Sequence, residues 1–315
     1  MINISNFTKC HIEQAEKIAL LNYNEERSFV SSLPPIDKIP DLERFAENNL
    51  GVAAFDGEKM LGYLCCHKPW DNAFKSTARG TFSPMHAHGT LKENRGFIYK
   101  KLYEAAAEKW VQAKIASHAI ALYAHDNEAI DAMFSYGFGL RCIDAIRPME
   151  IIQAEPCEGI TFREQSISDL TELKHLHRML HEHMGCSPCF MHYTQNESDD
   201  WHNRAQKHKS RIFIAASKNE PVAYIEITKT GETFVTHADD MLNICGAFCL
   251  PEYRGSGIYQ NLLSHTISIL KSEGYAKLGV DFESFNPTAS SFWLKYFTPY
   301  TKSVVRRIDE YALMD

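Results

Sequence analysis

Two clusters and one pair of thiols in this sequence have residue types and spacings suited to chemistry. Arg254-Gly255-Ser256-Gly257 lies between an apolar run, Leu242 to Leu250, and an amphipathic run, Leu262 to Leu270. Strand, glycine-rich turn and helix together make an anion cradle. The glycines let backbone N–H groups close on a phosphate, and the first helical turn adds the positive end of its dipole. Taken alone, such a turn also serves as an ordinary strand-to-helix connection. The second cluster is His181-x-His183-x-x-Cys186-x-x-Cys189-x-x-His192, with His175 and His177 just upstream. This is zinc-like vocabulary, but a structural zinc site pairs two separated ligand couples and no second Cys-x-x-Cys is present. Acceptor-loop residues or plain surface histidines are the preferred readings, and no metal is expected. Cys245 and Cys249 alternate with Ile244, Phe248 and Leu250. With no Cys–His–acid triad legible, they read as small buried hydrophobes rather than nucleophiles.

The elements that must position these residues follow from periodicity and turn chemistry. In the first half, a helix is expected over about Lys9 to Val30, and a hairpin pairs Val52–Phe55 with Leu61–Cys66 across Asp56-Gly57. A weak strand near Phe82 to His88 follows, then a helix from Ile98 to Ala113, a strand Ala119–Tyr123, a helix Glu128–Tyr136 and a strand Ile143–Ile152. Residues 153–159 carry Pro156 and Gly159 and read as a linker. The second half repeats the order: strand Ile160–Arg163, helix Ser168–His183, a hairpin from Ile212 to Ile227, the glycine turn with its helix, strand Leu278–Phe282, helix Pro287–Tyr296 and strand Val304–Leu313. Domains are therefore expected at 1–152 and 160–315.

Composition bounds the function. The 315 residues are 44% hydrophobic and 23% charged, enough for two packed cores. A net charge of −7 argues against broad binding to nucleic acid or anionic membranes. No apolar run approaches the roughly 18 residues of a membrane span, and Met1 to Phe7 is not a signal peptide. Nine cysteines without framework spacing indicate reduced thiols and a cytoplasmic location.

The two halves agree in motif as well as in order. Ile98-Tyr99 matches Ile258-Tyr259, and Val52-Ala53-Ala54 pairs with Ile214-Ala215-Ala216. Asn127-x-x-Ile130-x-x-Met133-Phe134 aligns with Asn286-x-x-Ala289-x-x-Phe292-Trp293. Such self-similarity marks a tandem duplication. Strand, helices, hairpin, long strand, R-x-x-G-x-(G/A), helix, strand, N-x-x-A-x-x-x-Y helix and strand resembles the GNAT-type N-acetyltransferase superfamily, once per half. The fold class implied is mixed α/β (α+β): two tandem GNAT-like domains, each a central mixed sheet flanked by helices.

The resemblance implies a coenzyme A site in the second half. Phe248, Cys249 and Leu250 would face the pantetheine. Arg254, Gly255, Ser256, Gly257, Ile258 and Tyr259 would hold the pyrophosphate, and Asn286 would bond the pantetheine amide region. It further implies acetyl transfer from acetyl-CoA to an amine of a small molecule or peptide by direct attack. A non-catalytic acyl-CoA sensor or interaction module, or transfer to a hydroxyl or thiol, stands as the alternative. Asp240 is the expected general base, with Asp239, His237 and Glu226 as options. The position where many members carry a phenol to protonate the leaving thiolate is Trp293, with Phe134 in the first half. Indole cannot serve as that acid, so Tyr296, one helical turn on, is the expected substitute. Tyr259 replaces the last glycine or alanine of the turn. The first half departs further: Asn94-Arg95-Gly96-Phe97 keeps one displaced glycine, and it is expected to retain the fold but bind coenzyme A weakly or not at all. The acceptor should be shaped by the first two helices, Phe190 to Trp201 and the cleft between the domains, the acidic balance favouring cationic amines.

Overall fold

The computed structural model describes residues 2–194 and 200–314. It divides into two compact units, Met1–Ile143 with Pro299–Asp315, and Asp144–Thr298. The expected boundary lay within 153–159. The observed division instead falls at Ile143/Asp144 and assigns the C-terminal segment to the first unit.

The first unit opens with β1 (Asn3–Asn6) and α1 (Ile12–Phe29). After the short α2 (Glu43–Glu47) comes the expected hairpin of β2 (Val52–Asp56) and β3 (Lys59–Leu64). The weak strand foreseen around Phe82 is two strands, β4 (Gly80–Ser83) and β5 (His88–Thr90). Pro84, which cannot donate to a ladder, follows β4 directly. The two then part company: β4 runs parallel to β6 (Ser117–Tyr123), whereas β5 pairs antiparallel with β3. Helix α3 (Arg95–Gln112) precedes β6, and α4 (Asn127–Phe134) leads into β7 (Gly139–Pro148).

The strand that completes this unit comes from the far end of the chain. Thr301–Arg307 runs antiparallel to β6 over its whole length, from Thr301↔Tyr123 to Arg307↔Ser117, and meets β7 at Ser303↔Cys142. Val304, fully buried, joins the core formed by Leu64, Tyr99, Leu102, Trp110 and Met133. A second cluster under α1 gathers Phe7, Ile18, Phe45 and Tyr63.

The second unit repeats the element order. β8 (Ile160–Gln165) leads through a 3₁₀ stretch into α5 (Lys174–Gly185), so the single helix expected from Ser168 is divided. α6 (Trp201–His208) follows, then the hairpin of β9 (Arg211–Ser217) and β10 (Glu220–Thr228), the long β11 (Met241–Cys249), α7 (Ile258–Ser272), β12 (Lys277–Glu283) and α8 (Pro287–Tyr296). β8, β9, β10 and β11 are antiparallel neighbours, and β12 joins β11 in parallel. Leu170, Leu176, Trp201, Ile214, Tyr224 and Phe248 form the core between this sheet and α5 and α6. Among the described residues, no helix is long and apolar enough to cross a membrane.

Candidate functional site

Parallel pairing holds β11 to β12 from Met241↔Lys277 to Ile244↔Val280 and then stops. β11 continues to Cys249 with β10 on its other side, through Glu226↔Gly246 to Ala223↔Cys249. The register slips between Glu226 and Ile227, so Cys245 is the extra residue of a bulge, which bends and twists the strand locally. Among the described residues, the edge of β11 toward β12 has no ladder from Cys245 to Cys249, leaving a row of backbone groups that an extended amide-bearing ligand can pair with.

This edge runs directly into the glycine turn. Pro251–Tyr253 make one 3₁₀ turn, and Gly255 (φ +76°) and Gly257 (φ +83°) take the left-handed conformation. A Cβ on Gly255 would meet nothing within 4 Å, so backbone shape, not crowding, requires glycine there. Gly257 is the N-cap of α7 and offers no side chain to its first turn. Those N–H groups have no intrahelical acceptor and point outward as anion donors. Arg254 is anchored beside them: its Nε donates to the Cys249 carbonyl at 3.0 Å, and its guanidinium lies 5.4 Å from the centre of the Phe248 ring.

A cleft of 460 Å³ opens between the turn, β11 and α8. Of the residues expected at a coenzyme A site, Phe248, Cys249, Arg254, Gly255, Gly257, Tyr259 and Asn286 line it, and Tyr296 lies on its wall. Leu250 packs on the core under α5 instead. Ser256 and Ile258 face a second cavity, of 820 Å³, on the other side of the turn. That cavity is walled by residues 153–158. The segment read as a linker is tied to α7: Gln260 donates to the Gln153 carbonyl (2.7 Å), Asn261 to that of Glu155 (2.8 Å) and Ser264 to that of Ile152 (2.7 Å).

Asn286 caps α8, its Oδ1 accepting from the N–H groups of Thr288 and Ala289 at 3.2 and 3.3 Å. His183, singled out from the sequence only as part of the histidine–cysteine cluster, reaches the same oxygen at 3.3 Å and also lines the cleft. Trp293 is buried, edge-on to Phe292 and Phe297. Tyr259 turns its ring toward Phe292 and its hydroxyl donates to the Tyr224 carbonyl at 3.3 Å. Enclosure by protein pushes the Tyr259 phenol up, and pushes the half-buried Tyr296 phenol up as well, with Arg147 opposing the second shift. Both stay protonated at neutral pH.

The acids are distributed unequally. Asp240 does not line the cleft: its carboxylate is ion-paired with Lys277, and its carbonyl accepts from Ala276 and Lys277, ahead of the paired stretch of β11. His237 and Asp239 are exposed. Glu226 is buried beside the bulge and accepts from Trp201 Nε1 at 2.8 Å. An acid not picked out from sequence, Asp281, also stands off the cleft lining, one residue past the last β11–β12 pair, where the ladder between the strands ends. Enclosure first, then the carboxylates of Glu232 and Asp144, push it up to about 8, against the opposing bond from Asn243. Its signal in the sequence was a single acid interrupting the apolar Leu278-Gly279-Val280-Asp281-Phe282. Of the two thiols expected to be buried, Cys249 is buried and Cys245, the bulge residue, is exposed; desolvation by the surrounding protein and the Glu226 charge still drive the Cys245 thiol pKa upward. A protonated thiol gives no support to a covalent acyl-enzyme.

The histidine-rich segment builds a stack. Tyr193 lies on His181 (4.0 Å), His181 meets His177 edge-on (4.3 Å), and His177 stacks on Trp201 (4.2 Å). Enclosure lowers His177 to about 3, so it packs as a neutral ring. Among the described residues, no group of three or more His, Cys, Asp or Glu is gathered to hold a metal ion. Of the acceptor segment Phe190 to Trp201, residues 195–199 lie outside the described residues.

The equivalent place in the first unit is filled by its own side chains. Arg95, 6% exposed, bonds Glu25 at 2.7 Å and Asp126 at 3.3 Å. Glu128 accepts from the Gly96 N–H at 3.2 Å, taking the helix N-terminus that an anion would need. His88 bridges from Tyr99 (2.9 Å) to the Ala121 carbonyl (2.8 Å) and spans the split between β5 and β6. The caps also correct the repeat alignment by one residue. Asp126 caps α4 through the Ala129 N–H as Asn286 caps α8 through that of Ala289. Asp126 is thus the counterpart of Asn286, Met133 of Trp293, and Tyr136 of Tyr296.

Residues 176–297 match the family model of the acetyltransferase (GNAT) family. No curated protein matches the sequence. Among solved structures, a GCN5-related N-acetyltransferase from Sphaerobacter thermophilus aligns over 97% of this chain and 95% of its own, at 11% identity and a TM-score of 0.59. The glucosamine N-acetyltransferase region of a fungal multi-domain GH3 beta-N-acetylglucosaminidase aligns over 97% of this chain and 38% of that one, at 11% identity and a TM-score of 0.51. At such identities the likeness is one of fold. Residues 176–297 are thus a domain of the acetyltransferase (GNAT) family, within a chain that has the fold of the GCN5-related N-acetyltransferases.

Proposed function

We propose that the second unit transfers an acetyl group from acetyl-CoA to an amine of a small molecule or peptide by direct attack, and that the first unit binds no coenzyme A. The observation that supports this most is the continuity of three features: the unpaired edge of β11, the left-handed glycine turn and the 460 Å³ cleft they share with α8. The pyrophosphate fits the open N–H groups of the α7 N-terminus, which carry partial positive charge and no capping side chain. Main-chain groups from Cys245 to Cys249 would pair with the pantetheine amides. The thioester supplies an activated carbonyl.

Around it, this chain's residues would manage protons. Asp281, placed where β11 and β12 part, would take a proton from the ammonium, so that the freed nitrogen lone pair forms the C–N bond as the C–S bond breaks. An acid held near 8 is suited to that exchange at neutral pH. We assign this role to Asp281 and not to Asp240, which is engaged by Lys277. Tyr296, on the cleft wall, would give its proton to the leaving sulfur and be restored by the second proton that the nitrogen sheds as the amide forms. Nine free thiols accord with a reducing cytoplasm.

Release of free thiol from acetyl-CoA, followed across a panel of amines with the full-length chain, tests the reading. Thiol release that depends on an amine and yields its N-acetyl product supports it. The buried Trp293 at the phenol position favours a second reading, a coenzyme A-binding module without turnover. Binding with no thiol release on any amine would select that second reading.

A further inference from the structure

Asn243 is a buried polar side chain with no part in the steps above. It stands on β11 beside Ile244, the last residue paired with β12, and is 2% exposed. Its Nδ2 donates to Asp281 Oδ1 at 3.0 Å and to the Ile244 carbonyl at 3.2 Å. Two glycines clear the space for its carboxamide. A Cβ on Gly231 would stand 2.6 Å from the Asn243 Cγ and Nδ2, and one on Gly279 would come closer still to Oδ1. Neither glycine needs a left-handed backbone; Gly231 is explained by the volume of this side chain, and Gly279 by it together with Met241, whose Cε would stand 2.6 Å from an added Cβ. A tightly packed interior allows such a group few other rotamers.

We infer that Asn243 is the positioning residue for Asp281: it holds one carboxylate oxygen as an acceptor and leaves the other free to take the proton of the incoming amine. The inference rests on the acyl-transfer reading, in which Asp281 is the proton acceptor. An amide suits this post because it donates at every working pH and brings no charge of its own. The groups around Asp281 otherwise oppose its ionisation: Glu232 from the segment before β11, Asp144 from β7 and Glu283 two residues along β12. The bond from Asn243 favours the charged form against all three. Cys245, the remaining titratable neighbour on β11, stays neutral.

The test uses the intact chain with 13C-labelled aspartate carboxyls, the Asp281 signal being identified by its loss in Asp281→Asn. Asn243→Leu removes the donor at similar volume. Gly279→Ala keeps the donor but displaces it, and serves if the first variant fails to fold. In either variant the Asp281 titration midpoint should rise by about one pH unit. An unchanged midpoint in both would overturn the inference. The acid limb of thiol release, measured with the best amine of the panel, separates the inference from the reading beneath it. It should move upward with the carboxyl signal. A limb that stays put while the carboxyl midpoint moves would remove Asp281 as the proton acceptor, leaving Asn243 only a structural contact.

Discussion

Replacing Gly257 with alanine separates a ligand-binding turn from a plain connector. The residue sits at φ +83°, where alanine costs roughly 1–2 kcal/mol relative to glycine. The added methyl has room, since a Cβ there lies 3.9 Å from Asn261 Nδ2 and from Cys157 Sγ. The fold therefore loses only the conformational term, equivalent to a fall in Tm of about 3–6 °C for a unit of this size. Binding is expected to suffer more. The methyl stands at the helix N-terminus where phosphate oxygens must approach, and a backbone that relaxes out of the left-handed region turns the N–H groups away from them. Since about 1.4 kcal/mol is a factor of ten, the Kd for coenzyme A should rise at least tenfold. Calorimetric titration of wild type and variant, with melting curves for both, supplies the two numbers. A variant that loses the expected Tm yet binds coenzyme A within about twofold of wild type would refute the assignment of this turn.

Three further outcomes are expected. Val304→Asp places a carboxylate at a fully buried position of the C-terminal strand; losing the burial and enclosing the charge costs on the order of 5 kcal/mol or more. Hydrogen exchange should then rise in β6, β7 and α3, with the exposed Arg307→Asp as a silent control; unchanged protection in β6 would contradict the strand's placement. Enclosure holds His88 and His118 down to about 4, so both are neutral in the folded chain and charge when it unfolds. The unfolded state binds more protons below about 6.5, so their contribution is complete above that pH and is lost as pH falls toward 4; melting curves from pH 7 to 4 should show the first unit destabilised, and replacing both histidines with glutamine should flatten the dependence. Tyr296→Phe should lower kcat for thiol release on the order of a hundredfold with little change in KM for acetyl-CoA; an unchanged kcat would remove Tyr296 from the proton path.

What the sequence disclosed was local. The left-handed glycines at 255 and 257, the Asp56-Gly57 hairpin and the Asn286 cap are written in neighbouring residues, and each stands where its residue types require. What it concealed was long-range. Nothing in Thr301–Arg307 specifies pairing with β6 rather than with a strand of its own half, because its two adjacent valines among polar residues suit either edge. The expected domain 160–315 therefore overran the observed second unit. The one-residue slip between Asn127 and Asn286 arose because asparagine and aspartate cap helices equally well; matching identity misled where the cap hydrogen bonds do not. Asp281 and Asn243 escaped notice because their meaning lies in the divergence of two strands, which no periodicity records. The plug in the first unit was half visible: the single displaced glycine of Asn94-Arg95-Gly96-Phe97 marks a departure from the turn, but Glu25, Glu128 and His88 reach it from elsewhere in the chain.

A single working coenzyme A site is expected per chain, built on the second unit's glycine turn. Isothermal titration of the intact chain with acetyl-CoA tests it most directly. One equivalent per chain is predicted, lost when Gly255 and Gly257 are both replaced by alanine and retained when Gly96 is. Two equivalents, or one that survives the double replacement, would contradict it.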